Sequence, residues 1–162
     1  MEADKKPVII RLIISILIPQ ATGAIGGFLT APAIGSWYAA LNKPSFNPPD
    51  WIFGPVWTAL YLMMGIALFL VWKNGLSRRE AKLAVTAFGV QLALNLAWSY
   101  LFFYLHSPFG AFVEIIALWL AIAATLAFFM RISRAAGLLL VPYILWVSFA
   151  AVLNFFLWRL NI

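Results

Sequence analysis

Three sets of aromatic and amide residues recur at helical spacing. Gln91, Asn95 and Trp98 stand at i, i+4 and i+7, one face of a helix at ~100° per residue, and Phe102 extends it. Phe53, Trp57 and Tyr61 are spaced by fours with Met64 following on the same side, and so are Pro142, Trp146, Ala150, Asn154 and Trp158. Indole and phenol rings offer large flat surfaces with a polar tip, and carboxamides offer donors and acceptors. Together they suit a flat, largely apolar ligand with polar groups at its edge. Ordinary packing and hydrogen bonding between helices is the competing reading. Conventional acid–base or nucleophilic chemistry has few candidates, because the chain has one histidine, no cysteine and five acids.

Between two of these sets lies WYAALNKPSFNPPDWIFGPVW, Trp37 to Trp57. Pro44, Pro48, Pro49 and Pro55 fix φ and remove backbone donors, so this stretch starts no helix before Pro49 and holds a defined loop. Trp37, Tyr38, Phe46, Trp51 and Trp57 make it a lid over a ligand or an aromatic belt at a membrane interface. Asp50, just before Trp51, is placed to cap the next helix.

The elements that must position these groups are membrane spans. The chain is 65% hydrophobic and 10% charged, with mean hydropathy +0.97, against an apolar share of ~45–50% in soluble domains. Charges and turn formers cut it into five apolar runs, Val8–Leu29, Trp51–Trp72, Ala81–Leu105, Phe109–Met130 and Ala135–Trp158; about 20 residues cross a bilayer as a helix. None of the runs alternates as barrel strands do. The expected fold is an all-α bundle of five transmembrane helices forming one domain over residues 1–162. A signal peptide is the other reading of the first run, but Arg11 interrupts it and apolar character continues through Leu29, which favours a retained helix.

Net charge +6 and pI near 10.0 do not imply nucleic acid, because the charges track the loops. Lys5, Lys6, Arg11, Lys73, Arg78, Arg79, Lys82, Arg131 and Arg134 fall on one side of a five-span topology, Lys43 and Arg159 on the other. The positive-inside rule then predicts a cytoplasmic N-terminus and an outward aromatic loop, with the basic face attracting anionic lipid. On the third run, Gly89, Ala93 and Ala97 form a small-xxx-small stripe roughly 160° from the polar face, a surface for close packing on a second subunit.

In order along the chain stand WYxxLxKPxxxPP at Trp37–Pro49, WTxLY at Trp57–Tyr61, QLxLNxxW at Gln91–Trp98 and VPYxLWxxFAxxLN at Val141–Asn154. With these motifs the whole chain resembles the TspO/MBR family, the tryptophan-rich sensory proteins that include the translocator protein, or peripheral-type benzodiazepine receptor. The resemblance implies a five-helix bundle, usually dimeric. It also implies a pocket under the first loop for porphyrins, haem-like tetrapyrroles, sterols and synthetic aromatic ligands, with no cofactor required. Carried onto this sequence, that pocket comprises Tyr38, Pro48, Trp57, Tyr61, Gln91, Asn95, Trp98, Phe102, Trp146, Ala150 and Asn154. A prokaryotic cell membrane is the expected location, or a mitochondrial outer membrane in a eukaryote.

Sterol recognition in vertebrate members is ascribed to a Leu-x-Tyr…Arg pattern, and here the matching residues are Leu153, Phe155 and Arg159, so its tyrosine is missing. Some bacterial members resemble porphyrin-degrading enzymes that act in light and oxygen; the tryptophans implicated match Trp57 and Trp146, the candidate catalytic residues here. No metal site is expected. His106, before Pro108, reads as a solvated loop histidine, with axial haem ligation the alternative. Glu114 either reaches the interface or marks a proton or ion path. Three classes stay open on the sequence: a tetrapyrrole-binding sensory, regulatory or carrier protein, a porphyrin-degrading enzyme, and a secondary transporter of sterols or other small molecules.

Overall fold

A computed structural model describes residues Lys6–Ile162. Helix α1, Lys6–Ala33, continues into a π-helical turn at Ile34–Tyr38. A 3-10 turn at Asp50–Ile52 leads into α2, Phe53–Lys73. Helix α3, Arg79–Ser99, ends in a second π-helical turn, Tyr100–Tyr104, and α4 spans Pro108–Ile132. The final span is divided into α5, Arg134–Leu139, and α6, Val141–Leu160. Five spans are long and apolar enough to cross a membrane, and no strand occurs among the described residues. The chain is an all-α integral membrane protein. Lys5, one of the charges on the basic side, lies outside the described residues.

Around the bundle, α1 packs on α2, α2 on α5, α5 and α6 on α4, α4 on α3, and α3 back on α1. One close crossing is between α1 and α2. Pro19 cannot donate to the Ser15 carbonyl four residues earlier. At that point Gly65 brings α2 so close that a Cβ there would stand 2.7 Å from Ile16 Cα and 2.9 Å from Ser15 O. Lipid tails are as apolar as the side chains they compete with, so such close approach, along with hydrogen bonds between helices, holds the spans together. Gln20 Nε2 donates to the Thr58 carbonyl at 3.2 Å, and Trp119 Nε1 to Ser148 Oγ at 2.8 Å.

Several expectations are corrected. The first span does not stop at Leu29; it runs on into the π-helical turn, so Trp37 and Tyr38 sit on a helix end and not in the loop. Nothing in residues 30 to 38 obliges the helix to stop: Pro32 costs one backbone bond, and the π-turn absorbs the change of register. The last span breaks at Leu140, because Pro142 suits a helix start and not an interior. Asp50 makes no side-chain cap; it is the first residue of the 3-10 turn, after Pro49. Ser107 and Ser133 are the residues whose hydroxyls cap helices, accepting from Gly110 N and Ala136 N at 3.3 Å each.

Candidate functional site

At the end of the bundle that carries the α1–α2 loop, the helices enclose a cavity of about 610 Å³. Its walls come from α1 between Gln20 and Tyr38, the start of α2 down to Tyr61, α3 from Asn95 through Phe103, and α6 from Trp146 to Leu157. Helix α4 contributes nothing to the lining. The division of the last span explains the opening: α5 packs against α2 at the far end, and the cavity lies between α2 and α6 beyond that crossing.

The cavity floor is a directed chain of hydrogen bonds. Tyr61 Oη donates to Asn95 Oδ1, Asn95 Nδ2 to Tyr143 Oη at 3.1 Å, and Tyr143 Oη to Gln91 Oε1 at 2.8 Å. Gln91 Nε2 ends on Met64 Sδ at 3.7 Å. Residues of α2, α3 and α6 are thereby fixed to one another with every hydroxyl proton assigned an acceptor, which is what burial at membrane depth demands. A second chain lies nearer the loop: Trp98 Nε1 donates to Asn154 Oδ1 at 2.9 Å, and Asn154 Nδ2 to the Pro108 carbonyl at 2.8 Å. Trp98 in turn stacks on Phe102 with ring centroids 5.1 Å apart and an interplanar angle of 14°.

Aromatic faces make the remaining walls. Trp57 stacks on Tyr61 at 5.5 Å and 29°, and Phe53 meets Trp146 edge to face at 6.0 Å. The Trp146 indole N–H is buried without a partner. On the α1 side the wall is small and smooth, with Gly23, Ala24, Gly26, Gly27 and Ala31. Gly23 is packed against the Tyr61 ring, since a Cβ there would lie 2.5 Å from Tyr61 Cδ2.

The residues singled out from the sequence fall into three groups. Tyr38, Trp57, Tyr61, Asn95, Trp98, Phe102, Trp146, Ala150 and Asn154 all line the cavity. Gln91 and Pro48 do not. Gln91 lies one turn below Asn95, beneath Tyr143, and supports the floor from behind. Pro48 stays in the loop, its carbonyl accepting from Asn47 Nδ2 at 2.9 Å, while Asn47 Oδ1 accepts from Tyr38 Oη at 2.9 Å. The stripe of fours on the last span points inward only in its middle: Pro142 is exposed, and Trp158 packs on Phe109, Phe112 and Phe155. Gly89 and Ala93 are exposed and Ala97 half-buried, on the opposite face of α3 from buried Gln91 and Asn95.

Three further residues singled out from the sequence lie outside the cavity lining. His106 lies outside the cavity, at φ 51°, and stacks on Trp37 with ring centroids 4.4 Å apart. Glu114 does not reach the interface; both its carboxylate oxygens are buried without partners, on the helix that leaves the cavity untouched. Phe155, where the sterol pattern has tyrosine, is exposed on the outside of α6 beside Phe112 and Phe156. No group of three or more His, Cys, Asp or Glu that could hold a metal ion occurs among the described residues.

The profile of the TspO/MBR family matches residues 15–159, a stretch that takes in all four walls and both hydrogen-bond chains. The chain belongs to the TspO/MBR family. It is 46% identical over 153 residues to the tryptophan-rich protein TspO of Chlorobaculum tepidum, covering 94% of this chain and 97% of that one. Identity to the tryptophan-rich protein TspO of Archaeoglobus fulgidus is 44% over 153 residues, covering 94% and 98%. The translocator protein of Homo sapiens is 38% identical over 149 residues, covering 83% of this chain and 88% of that one. TspO/MBR membership accounts for the four sequence motifs, and the geometry gives them physical roles. WTxLY supplies the Trp57–Tyr61 stack, QLxLNxxW the amides and indole of α3, and VPYxLW both Tyr143 and Trp146.

The contributions that the sequence reading missed are the α1 wall and Tyr143. Tyr143 is 1% exposed, lies outside the cavity lining and backs the floor between Asn95 and Gln91. Its signal was present in the VPY triplet, but the reading in steps of four from Pro142 placed it one position off the inward face. The α1 signal was the ATGAIGG run, Ala21–Gly27, whose small residues permit close approach of a neighbour or a ligand.

Proposed function

We propose that this TspO/MBR protein binds a porphyrin or similar tetrapyrrole in the cavity and serves a sensory, regulatory or carrier role. The observation that carries the reading is a cavity of about 610 Å³ faced by stacked aromatic rings, with the Trp57 and Trp146 indoles in its wall. Ligand sites of ~300–1,000 Å³ are typically apolar with a few placed polar groups. Here Asn95 and Asn154 already spend both an oxygen and a nitrogen on protein partners. The amides therefore chiefly shape the pocket, and the indole and phenol rings supply its contact surface.

Titration of the purified protein with protoporphyrin IX in the dark, followed by tryptophan fluorescence, tests this. Saturable quenching is expected, and Trp146→Phe should weaken it by about 3- to 10-fold, the worth of the lost ring-stacking surface at ~0.5–1.5 kcal/mol. Absence of saturable quenching in the unsubstituted protein would defeat the reading.

One observation favours a second reading, light- and oxygen-dependent porphyrin degradation. Trp57 and Trp146 both line the cavity, and Trp57 stacks on Tyr61 and lies 6.2 Å from Tyr143, so one of the two indoles adjoins a buried pair of phenols. Illumination in air separates the two readings. Bleaching beyond the free-porphyrin control, lost in Trp57→Phe, would establish turnover; an unchanged spectrum would leave binding alone.

The protein is further proposed to form a homodimer through Gly89, Ala93 and Ala97, and to sit in a prokaryotic cell membrane with its basic loops toward the cytoplasm. A Cβ at Gly89 would meet nothing within 4 Å, so that face is open to a second helix. Ala93→Leu should shift the protein toward monomer in crosslinking, and an unchanged dimer fraction would exclude this interface.

A further inference from the structure

We propose that ligand reaches the cavity sideways from the bilayer, through a slit between α1 and α2 on the loop side of the membrane; the inference rests on the binding reading above. Apart from Asp50, the cavity-lining residues that are exposed form two short stripes. Ala24, Gly27 and Ala31 lie on α1, and Trp51, Gly54 and Thr58 on the α2 side. Each stripe has steps of three and four residues, which keeps it on one helical face. A residue that both lines a cavity and is exposed marks where that cavity meets its surroundings. Two such stripes on neighbouring helices therefore outline a slit.

The slit begins where the two helices part. Toward the far side, α1 and α2 are joined by the Gly65 crossing, the Gly23–Tyr61 contact and the Gln20–Thr58 hydrogen bond. Between that bond and the loop, no hydrogen bond joins α1 to α2 among the described residues. A Cβ at Gly27 or at Gly54 would meet nothing within 4 Å, so both lips face open space.

Two features suit the slit to an apolar traveller. The hydroxyls beside it are turned back on their own helices, Thr58 Oγ1 to Gly54 O at 2.9 Å and Thr30 Oγ1 to Gly26 O at 2.8 Å. Neither hydroxyl is thereby left unsatisfied toward lipid. Ala24 to Ala31 lie within the apolar span Val8–Tyr38, so the α1 lip belongs to a segment long and apolar enough to cross a membrane.

The loop side, by contrast, is strapped down. Asn42 and Asn161 exchange hydrogen bonds, Asn42 N to Asn161 Oδ1 and Asn161 Nδ2 to Asn42 O, each 2.9 Å. Asn42 Nδ2 also donates to Leu160 O at 3.3 Å, and Phe46 packs edge-on against Phe149 and Phe156. The loop is thereby fastened to α6, away from the slit. A porphyrin already dissolved in lipid passes between Gly27 and Gly54 without lifting that strap.

The absence of native cysteine gives a direct test. Gly27→Cys and Gly54→Cys are reconstituted separately in phosphatidylcholine vesicles, and protoporphyrin IX association and dissociation are followed by stopped-flow tryptophan quenching, before and after coupling a bulky maleimide. Ser45→Cys, on the exposed loop and outside the cavity lining, is the comparison. Labelling either lip should slow both association and dissociation about tenfold or more, whereas labelling Ser45 should change neither. Unchanged rates at both lips, slowing at Ser45 instead, or dissociation that speeds up because the label merely crowds the bound ring would each overturn the slit. If the unlabelled proteins show no saturable quenching, the binding reading itself falls and takes the slit with it.

Discussion

Replacing Asn95 with leucine is expected to lower the melting temperature of the detergent-solubilised protein by roughly 5–10 °C and to weaken porphyrin quenching at least about tenfold. Leucine keeps the branched skeleton of asparagine while removing its donors and acceptor, so the change acts chiefly on hydrogen bonding. Asn95 is 3% exposed, accepts from Tyr61 Oη and donates to Tyr143 Oη, and thereby joins α2 to α6 through α3. Its loss leaves the Tyr61 hydroxyl buried without an acceptor, whereas Tyr143 keeps Gln91. Hydrogen bonds between membrane helices average ~0.6 kcal/mol and reach ~1.7, and an orphaned buried donor adds about 1–3 kcal/mol. About 2–4 kcal/mol follows, at ~2–4 °C per kcal/mol in a chain of this size. Gln91→Leu separates the roles, because Gln91 supports the floor without lining the cavity. It should cost stability with a smaller loss of binding. A melting temperature unchanged in Asn95→Leu would mean that the chain of phenols and amides holds nothing together.

How much of this was legible in the sequence depends on what kind of signal each residue left. The five spans were plain, since apolar runs of about 20 residues bounded by charge have few other readings. The α3 face was plain too: Gln91, Asn95 and Trp98 are polar or amphipathic in hydrocarbon, and a spacing of four and three places them together. What the sequence could not supply was partnership. Spacing puts Asn95 on an inward face, but only the packing shows that Tyr61 and Tyr143 take up its amide and that Trp98 and Pro108 take up Asn154. A stripe in steps of four also drifts around a helix that repeats every 3.6 residues. Over the sixteen residues from Pro142 to Trp158 the drift carries both ends off the inward face, which is why Tyr143 and not Pro142 is buried. The end of the first helix was misplaced for a different reason. Prolines near Trp37 suggested a loop, yet a π-turn carries α1 through Tyr38. The wall made by α1 was overlooked because glycine and alanine advertise no chemistry; their contribution is the space they leave.

That space supports the second large expectation. Gly23→Leu should raise the protoporphyrin IX concentration needed for half-saturation by roughly 10- to 100-fold, while Gly35→Leu, where a Cβ would meet nothing within 4 Å and which lies outside the lining, should leave it unaltered. A Cβ on Gly23 would stand 2.5 Å from both Tyr61 Cδ2 and Cε2, and the ring is not the end of a flexible chain that can step aside. Tyr61 is held below by Asn95 and stacked against Trp57. Any added side chain must therefore push α1 outward or drag the ring from the floor, and either movement spoils the stacking surface. Overpacking of this kind costs about 1–3 kcal/mol, which at ~1.4 kcal/mol per tenfold gives the range stated. The two routes are distinguishable by combination with Tyr61→Leu. If the ring is what the leucine strikes, adding Gly23→Leu to Tyr61→Leu should cost much less than adding it to the unsubstituted protein, since the obstacle is already gone. If the two losses simply add, the α1 wall itself contacts the ligand, and the contact between Gly23 and Tyr61 is not what shapes the cavity.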